Sequence, residues 1–498
     1  MDMQSWLDQN IGGRHGNYID GEWLQTGANP VPVVNPACRD QVLGWFANST
    51  ADEVERAVTA AHRAWKSWRE VPGPERGAIL FRAAELIEKR ADEFAYVVSA
   101  EQGKILTESR GEVGRAVKEL RFAAGEASRG EGQTLPSEKR KGFAMTFREP
   151  VGVIASIAPW NFPVLTPVRK IGPALAYGCT TVFKPSNLTP WSTVRLFEVF
   201  REAGVPKGVL NLVLGDGQSV GEALIKHPLV RGISFTGSTK TGTDINVQAA
   251  RRLVRTQLEL GGKNPAVVLG YADAASIARQ ISQAAFTTSG QRCTAVSRVI
   301  VLKNLASELT EALVAELAAI EVGPAWDPGS KMGPLITDQH RASVLRNLAA
   351  GLDQGARIRF GGRVLEDGGL ARGNFLEPAL IENVAPDNLL ARHEVFGPVL
   401  SVIAVNDVNE AMAVANSVQY GLAASVFTRD VDEALRFVRD SESGMVHVNH
   451  GTNSEAHMPF GGIKSSGLGA YSIGHQTSRR CSVIHSANAA PATHETGV

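Results

Sequence analysis

Only four cysteines occur in 498 residues, and one of them, Cys293, lies in the polar, glycine-containing stretch TTSGQRCTAVS, Thr287 to Ser297. A cysteine in such a setting is either a small buried hydrophobe or a thiol nucleophile on a loop, and the stretch alone does not choose between them. Other residues able to do chemistry sit where short apolar runs end. Asn161 follows the run at 151–157, inside APWNFP, where Pro159 and Pro163 stiffen the turn. Its amide can cap the next helix or donate to a developing oxyanion. Lys184 ends TTVFK, and an ammonium there either snorkels outward or meets a ribose hydroxyl or phosphate. Gly237 and Ser238, in FTGSTKTG, open a helix whose free N–H groups attract phosphate, although the GxGxxG fingerprint is absent. Glu259, in LELGGKNP, is a paired structural charge or a general base. In chain order these residues supply a donor, phosphate anchors, an acid/base and a thiol.

The elements that must position them follow from periodicity. STADEVERAVTAAHRAWKSW opens with Thr50 and Glu53 at capping-box spacing and then places Val54, Val58, Ala61 and Trp65 on one face. Pro74 enters a second helix carrying Ile79, Ala83 and Leu86. The first 130 residues therefore read as largely helical after a short strand region near Tyr18 to Trp23. From Val151 short apolar runs at 151–157, 180–184, 209–214 and 232–237 alternate with helices at βαβ spacing, which implies a parallel sheet covered on both faces. A second series, PAVVLG, SRVIVL, PVLSVIAV, AASVFT and GMVHVN, starts near Asn264. The fold class is α/β, with two Rossmann-like parallel-sheet domains. The polar, alternating 137–150 segment reads as a hairpin, and RRCSVIHSA as a lone strand without an obvious partner. Together they suggest a protruding sheet used between subunits, followed by a tail.

Composition excludes several classes. The 51 basic and 51 acidic side chains cancel, so no broad field recruits nucleic acid or an anionic membrane. MDMQSWLDQN has no basic n-region before an apolar core, no apolar run reaches membrane-spanning length, and the expected compartment is the cytoplasm. The cysteines show no CxxC spacing and the histidines no HExxH, so neither a disulfide framework nor a metal is expected.

APWNFP, FTGST, LELGGKNP, GQRC and EVFGPV, in this order, resemble the NAD(P)-dependent aldehyde dehydrogenase superfamily, and the likeness runs from YIDGEWL to HMPFGGIKSSGLGAYS. The resemblance implies Cys293 as nucleophile, Glu259 as general base and Asn161 as oxyanion donor, with a thioester intermediate hydrolysed to a carboxylic acid. It further implies Lys184 at the adenosine ribose, Gly237 and Ser238 at the pyrophosphate, and Glu394 and Phe396 beside the nicotinamide. Ile157, Pro159, Trp160, Ser186, Asn187, Gly217, Gly221 and Phe235 complete the implied dinucleotide site. The implied domains are 1–131 with 151–260 for the dinucleotide, 261–462 for catalysis, and 132–150 with 463–498 as oligomerisation arm and tail of a dimer or tetramer.

Two positions refine this expectation. Many NAD-preferring members carry a glutamate three residues past the lysine; here Asn187 stands there, which removes repulsion against a 2′-phosphate and predicts that NADP is accepted, even preferred, alongside NAD. Arg169, eight residues past Asn161, suits a substrate carboxylate or forms a structural salt bridge, and Arg292 beside the thiol binds an anion or faces outward. Succinic semialdehyde dehydrogenases have a second arginine six residues before the cysteine, where this chain has Thr287. The NHGTNSEAHMPF loop is more similar to the 2-oxoglutaric semialdehyde (2,5-dioxopentanoate) branch. The expected substrate is a short anionic semialdehyde. Neutral aliphatic or aromatic aldehydes, succinic semialdehyde, a thiol esterase and a catalytically silent binding protein are the alternatives.

Overall fold

The buried strand Thr180–Lys184 shows how the chain builds its layers: successive side chains point to opposite faces, so Val182 enters one apolar core and Phe183 another. The computed structural model describes residues 2–472, except positions 26, 28, 131, 133, 139–142 and 147, together with the strand Cys481–Ile484. Strands Val153–Ile157, Thr180–Lys184, Leu210–Leu212, Val230–Thr236 and Arg255–Glu259 form the parallel centre of an eight-stranded sheet. The chain runs from Val153–Ile157 outward to one side, then returns to place Val230–Thr236 on its other side. That reversal creates the switch-point crevice where open α/β sheets take ligands.

A second eight-stranded sheet contains all five runs expected after Asn264: Asn264–Val268, Val296–Leu302, Val399–Val405, Ala423–Phe427 and Met445–Val448. Within Asn264–Val268, Val267 faces one core while Ala266 and Val268 face another, so this sheet is also covered on both sides. The helix Ala51–Trp68 begins with the expected capping box, Thr50 N donating to Glu53 Oε2 at 2.9 Å.

Three expectations need correction. The helices expected after Trp23 begin only at Ala51 and run to Glu126: before them Val31–Asn35 and Cys38–Phe46 pair antiparallel, and Gly13–His15 joins them in a three-stranded sheet. The hairpin lies earlier than 137–150, with Thr134–Pro136 paired to Phe143–Met145. The final strand has a partner in its own chain, since Cys481–Ile484 extends the second sheet parallel to Met445–Val448. Residues assigned to the arm also reach the first sheet, where Gly467–Leu468 pairs antiparallel with the end of Arg255–Glu259. The expected tail, 488–498, lies outside the described residues.

Candidate active site

Cys293 lies on the loop that enters Val296–Leu302, and hydrogen bonds from distant elements fix that loop. Asn264 Nδ2 donates to the Cys293 carbonyl at 2.7 Å and to the Ala295 carbonyl at 2.8 Å. Ser289 Oγ donates to Gly333 O, and Ile336 N donates to Gln291 Oε1. Thr288 and Ser289 hold left-handed backbone, φ 58° and 55°, a strain that the surrounding bonds maintain. Glycines let the neighbouring segment come close. A Cβ on Gly261 would lie 2.3 Å from Glu394 Oε2, and one on Gly262 would lie 2.4 Å from the Cys293 carbonyl oxygen.

A cavity of about 640 Å³ opens over this loop, and Cys293, Glu259, Asn161, Glu394 and Phe396 all line it. Asn161 is buried and its Nδ2 donates to the Gln291 carbonyl at 2.9 Å. Its backbone is held by Lys104 Nζ, which donates to Asn161 O at 2.8 Å and to Glu112 Oε2 at 2.7 Å. Glu112 Oε1 in turn accepts from Val164 N and Leu165 N, so one buried carboxylate caps the next helix and anchors the lysine.

Glu259 ends its strand buried, with Oε1 accepting from Gln257 Nε2 at 2.9 Å and Oε2 without a hydrogen bond among the described residues. Burial pushes its carboxyl up to about 8, against the lowering pull of Lys170 and Arg169. Burial likewise pushes Glu394 up to about 7, while Gly262 N, donating to Oε1 at 2.9 Å, opposes the rise. Cys293 is half-buried and lines the cavity. Burial, with the Glu394 and Glu259 carboxylates behind it, pushes the thiol up to about 12, although Arg169 and Arg292 pull it down. Burial first, and the neighbouring carboxylates second, thus hold the sulfur protonated, and a positive charge brought beside it favours the thiolate.

The aldehyde dehydrogenase family model matches residues 23–485. The chain belongs to the aldehyde dehydrogenase family. It is 39% identical over 452 residues to the alpha-ketoglutaric semialdehyde dehydrogenase of Bacillus subtilis, covering 90% of this chain and 93% of that protein. It is 37% identical over 452 residues to the NADP(+) succinate-semialdehyde dehydrogenase of Escherichia coli, covering 91% and 93%. The NAD+ complex of betaine aldehyde dehydrogenase from Staphylococcus aureus superposes with a TM-score of 0.92 at 34% identity, covering 95% of this chain and 94% of that one. This chain is accordingly an NAD(P)-dependent oxidoreductase acting on aldehydes.

The residues expected to hold this aldehyde dehydrogenase's dinucleotide divide between two places. Pro159, Trp160, Gly237, Ser238, Glu394 and Phe396 line the main cavity. Trp160 meets Phe396 edge-on at 5.5 Å, and Phe396 itself holds φ 57°. Ser186 and Asn187 line a second cavity of about 240 Å³ beside Asn48, Gly215 and Asp216. Lys184 is buried and donates to Pro185 O at 3.0 Å, and burial pulls its ammonium down to about 8 against the pull of Asp216. An ammonium held so sparingly at a strand exit fits a polar ligand, and Ser238 caps Thr239–Ala250, where a phosphate is favoured. The residues present thus fit a dinucleotide. Gly221 lies against the Lys184 side chain and ends the single π turn Gly217–Gly221. Ile157 and Phe235 pack in an apolar core against the first sheet and line neither cavity.

Arg169 and Arg292 both line the main cavity. Arg169 is not a free cation: Nε and Nη2 donate to Glu119 at 2.9 and 2.6 Å, and the guanidinium stacks over Phe460 at 4.3 Å. The salt-bridge alternative therefore describes it in this structure. Arg292 Nη2 donates to Ala284 O at 2.7 Å, and the side chain is buried rather than outward-facing. Sequence reasoning missed Arg115, Glu108 and Glu119, which surround these two. All three come from helix Leu106–Glu126, where charges at helical spacing look like a solvated face.

Proposed function

We propose that this aldehyde dehydrogenase oxidises a short semialdehyde with a distal carboxylate, such as 2,5-dioxopentanoate, through a thioester on Cys293. The observation that carries the reading is the meeting of a thiol, a carboxyl, an amide donor and a group of arginines on one cavity. The Cys293 thiol releases its proton to solvent, the sulfur bonds to the aldehyde carbon as the C=O π pair moves onto oxygen, and Asn161 Nδ2 donates to that charged oxygen. When bound, NAD(P)+ supplies the hydride acceptor and a positive ring that favours the thiolate. The carbon loses hydride, its C=O bond re-forms, and the thioester remains. Glu259 then takes a proton from water as the water oxygen attacks the thioester carbon; the C–S bond breaks and the acid leaves. Because that carboxyl sits near 8, the ionised base is a minority form at neutral pH and grows as pH rises toward 8.

Both dinucleotides serve, and NADP+ is accepted because Asn187, which lines the second cavity, carries no charge to repel a 2′-phosphate. The subunits associate through the hairpin Thr134–Met145. The B. subtilis relative supports the semialdehyde, and the E. coli relative supports NADP+.

An aldehyde panel tests this: 2,5-dioxopentanoate, succinic semialdehyde, pentanal and benzaldehyde, each with both dinucleotides, followed by absorbance of the reduced nicotinamide. The anionic semialdehydes are expected to give the higher kcat/KM, and NADP+ to support turnover. Preference for NAD+ by about a hundredfold would refute the cofactor reading. Activity on thiol esters without any dinucleotide-linked oxidation would indicate an esterase instead.

A further inference from the structure

Two guanidinium nitrogens in the cavity wall have no partner. Nη2 of Arg115 and Nε of Arg292 are both shielded from solvent, and neither donates a hydrogen bond to any described residue. A buried N–H left unmade is costly, more so on a charged group, so a small turn of either guanidinium that brings the N–H to an entering acceptor is favoured. The two side chains reach the cavity from different elements, Arg115 from Leu106–Glu126 and Arg292 from the position before Cys293.

The carboxylates around them leave these donors unmet. Glu119 is a single carboxylate serving two guanidiniums, Arg169 through two bonds and Arg115 through Nε at 3.0 Å. Arg292 has Glu108 nearby, but that carboxyl already accepts from Thr288 N at 2.9 Å, and burial raises it above the usual carboxylate range. Three arginines thus share Glu119, the buried Glu108 and the field of Glu455, which also acts on Arg115. Guanidinium N–H groups left over after these contacts call for an added acceptor, and a carboxylate suits them best.

We propose that Arg115 and Arg292 form a two-armed carboxylate subsite that grips the far end of the substrate. Arg169 acts as a positioning residue that holds Glu119 and, through it, the Arg115 guanidinium. A carboxylate gripped next to Cys293 leaves the aldehyde end of a short chain within reach of the sulfur. Arg292, adjacent in sequence to the nucleophile, sets that distance. The proposal rests on the semialdehyde reading above and names the groups that enforce it.

The test is the ratio of kcat/KM for 2,5-dioxopentanoate to that for pentanal, in the wild type and in Arg115→Met, Arg292→Met, Arg115→Lys and Arg292→Lys. Losing one charge-assisted pair is expected to lower the ratio about 10- to 100-fold in each Met variant, with the change in KM for the anionic substrate. The Lys variants keep the charge but lose the fork, so they are expected to fall roughly threefold or more and to lie between wild type and Met. If a Met variant does not fold, its Lys counterpart carries the test. A wild-type ratio in either position's variants overturns the paired subsite and leaves the semialdehyde reading intact. A wild type without preference for the anionic aldehyde overturns that reading instead.

Discussion

At the scale of single residues, the buried acids govern how the protein responds to pH. Glu259 ionises near 4.5 in an unfolded chain and near 8 in the folded one, because burial penalises its charge. Between those values the native state keeps a proton that the unfolded state has lost. The associated stability is complete below the lower value and disappears as pH rises through the upper one. Glu259→Gln, which stays neutral, is therefore expected to gain Tm over the wild type by at least ~2 °C on going from about pH 5 to about pH 8.5. A difference in Tm that does not change with pH would contradict this assignment. The same burial explains what sequence can and cannot tell about a residue. That Cys293 and Glu259 belong to one site was legible from motif order. That the thiol is held protonated was not, since it depends on burial by the folded walls and then on Glu394, 101 residues away in the chain yet close enough to raise the thiol.

At the scale of elements, the oxyanion donor is only as well placed as the framework behind it. Lys104 and Glu112 form a buried ion pair, with side chains 1% and 0% exposed, that ties helix Leu106–Glu126 to the Asn161 backbone. Removing one member strands the other's charge in a dry interior. Lys104→Met is expected to cost about 3–5 kcal/mol of stability by urea unfolding, and a loss under ~1 kcal/mol would show that the pair is not the anchor described. Strands written as continuous apolar runs, such as Thr180–Lys184, were readable because burial on both faces leaves that signature. Val31–Asn35 and Cys38–Phe46 were not, because VPVVN and CRDQVLGWF carry a proline and charges and are exposed along much of one side. Arg115 escaped for a related reason: a charge on an amphipathic helix looks solvated until the opposing wall is known.

At the scale of the whole molecule, two doubly covered sheets place a cavity where their loops meet, and a separate hairpin projects Leu135 and Met145, 47% and 48% exposed. Apolar side chains left open on a two-stranded hairpin suit a subunit contact. Leu135→Glu together with Met145→Glu is expected to lower the particle mass measured by light scattering, and an unchanged mass would remove the hairpin from the interface. The pairing of Cys481–Ile484 with Met445–Val448 was invisible in sequence, because register between distant segments is set by the assembled sheet and not by local pattern. The central claim remains chemical, and Glu259→Gln isolates it by leaving the sulfur while removing the base. Mixed with 2,5-dioxopentanoate and NADP+, this variant is expected to release reduced dinucleotide once per subunit and stall, with the acyl group found by mass spectrometry on the peptide containing Cys293. Sustained turnover at the wild-type rate, or a stalled enzyme with Cys293 unmodified, would contradict it.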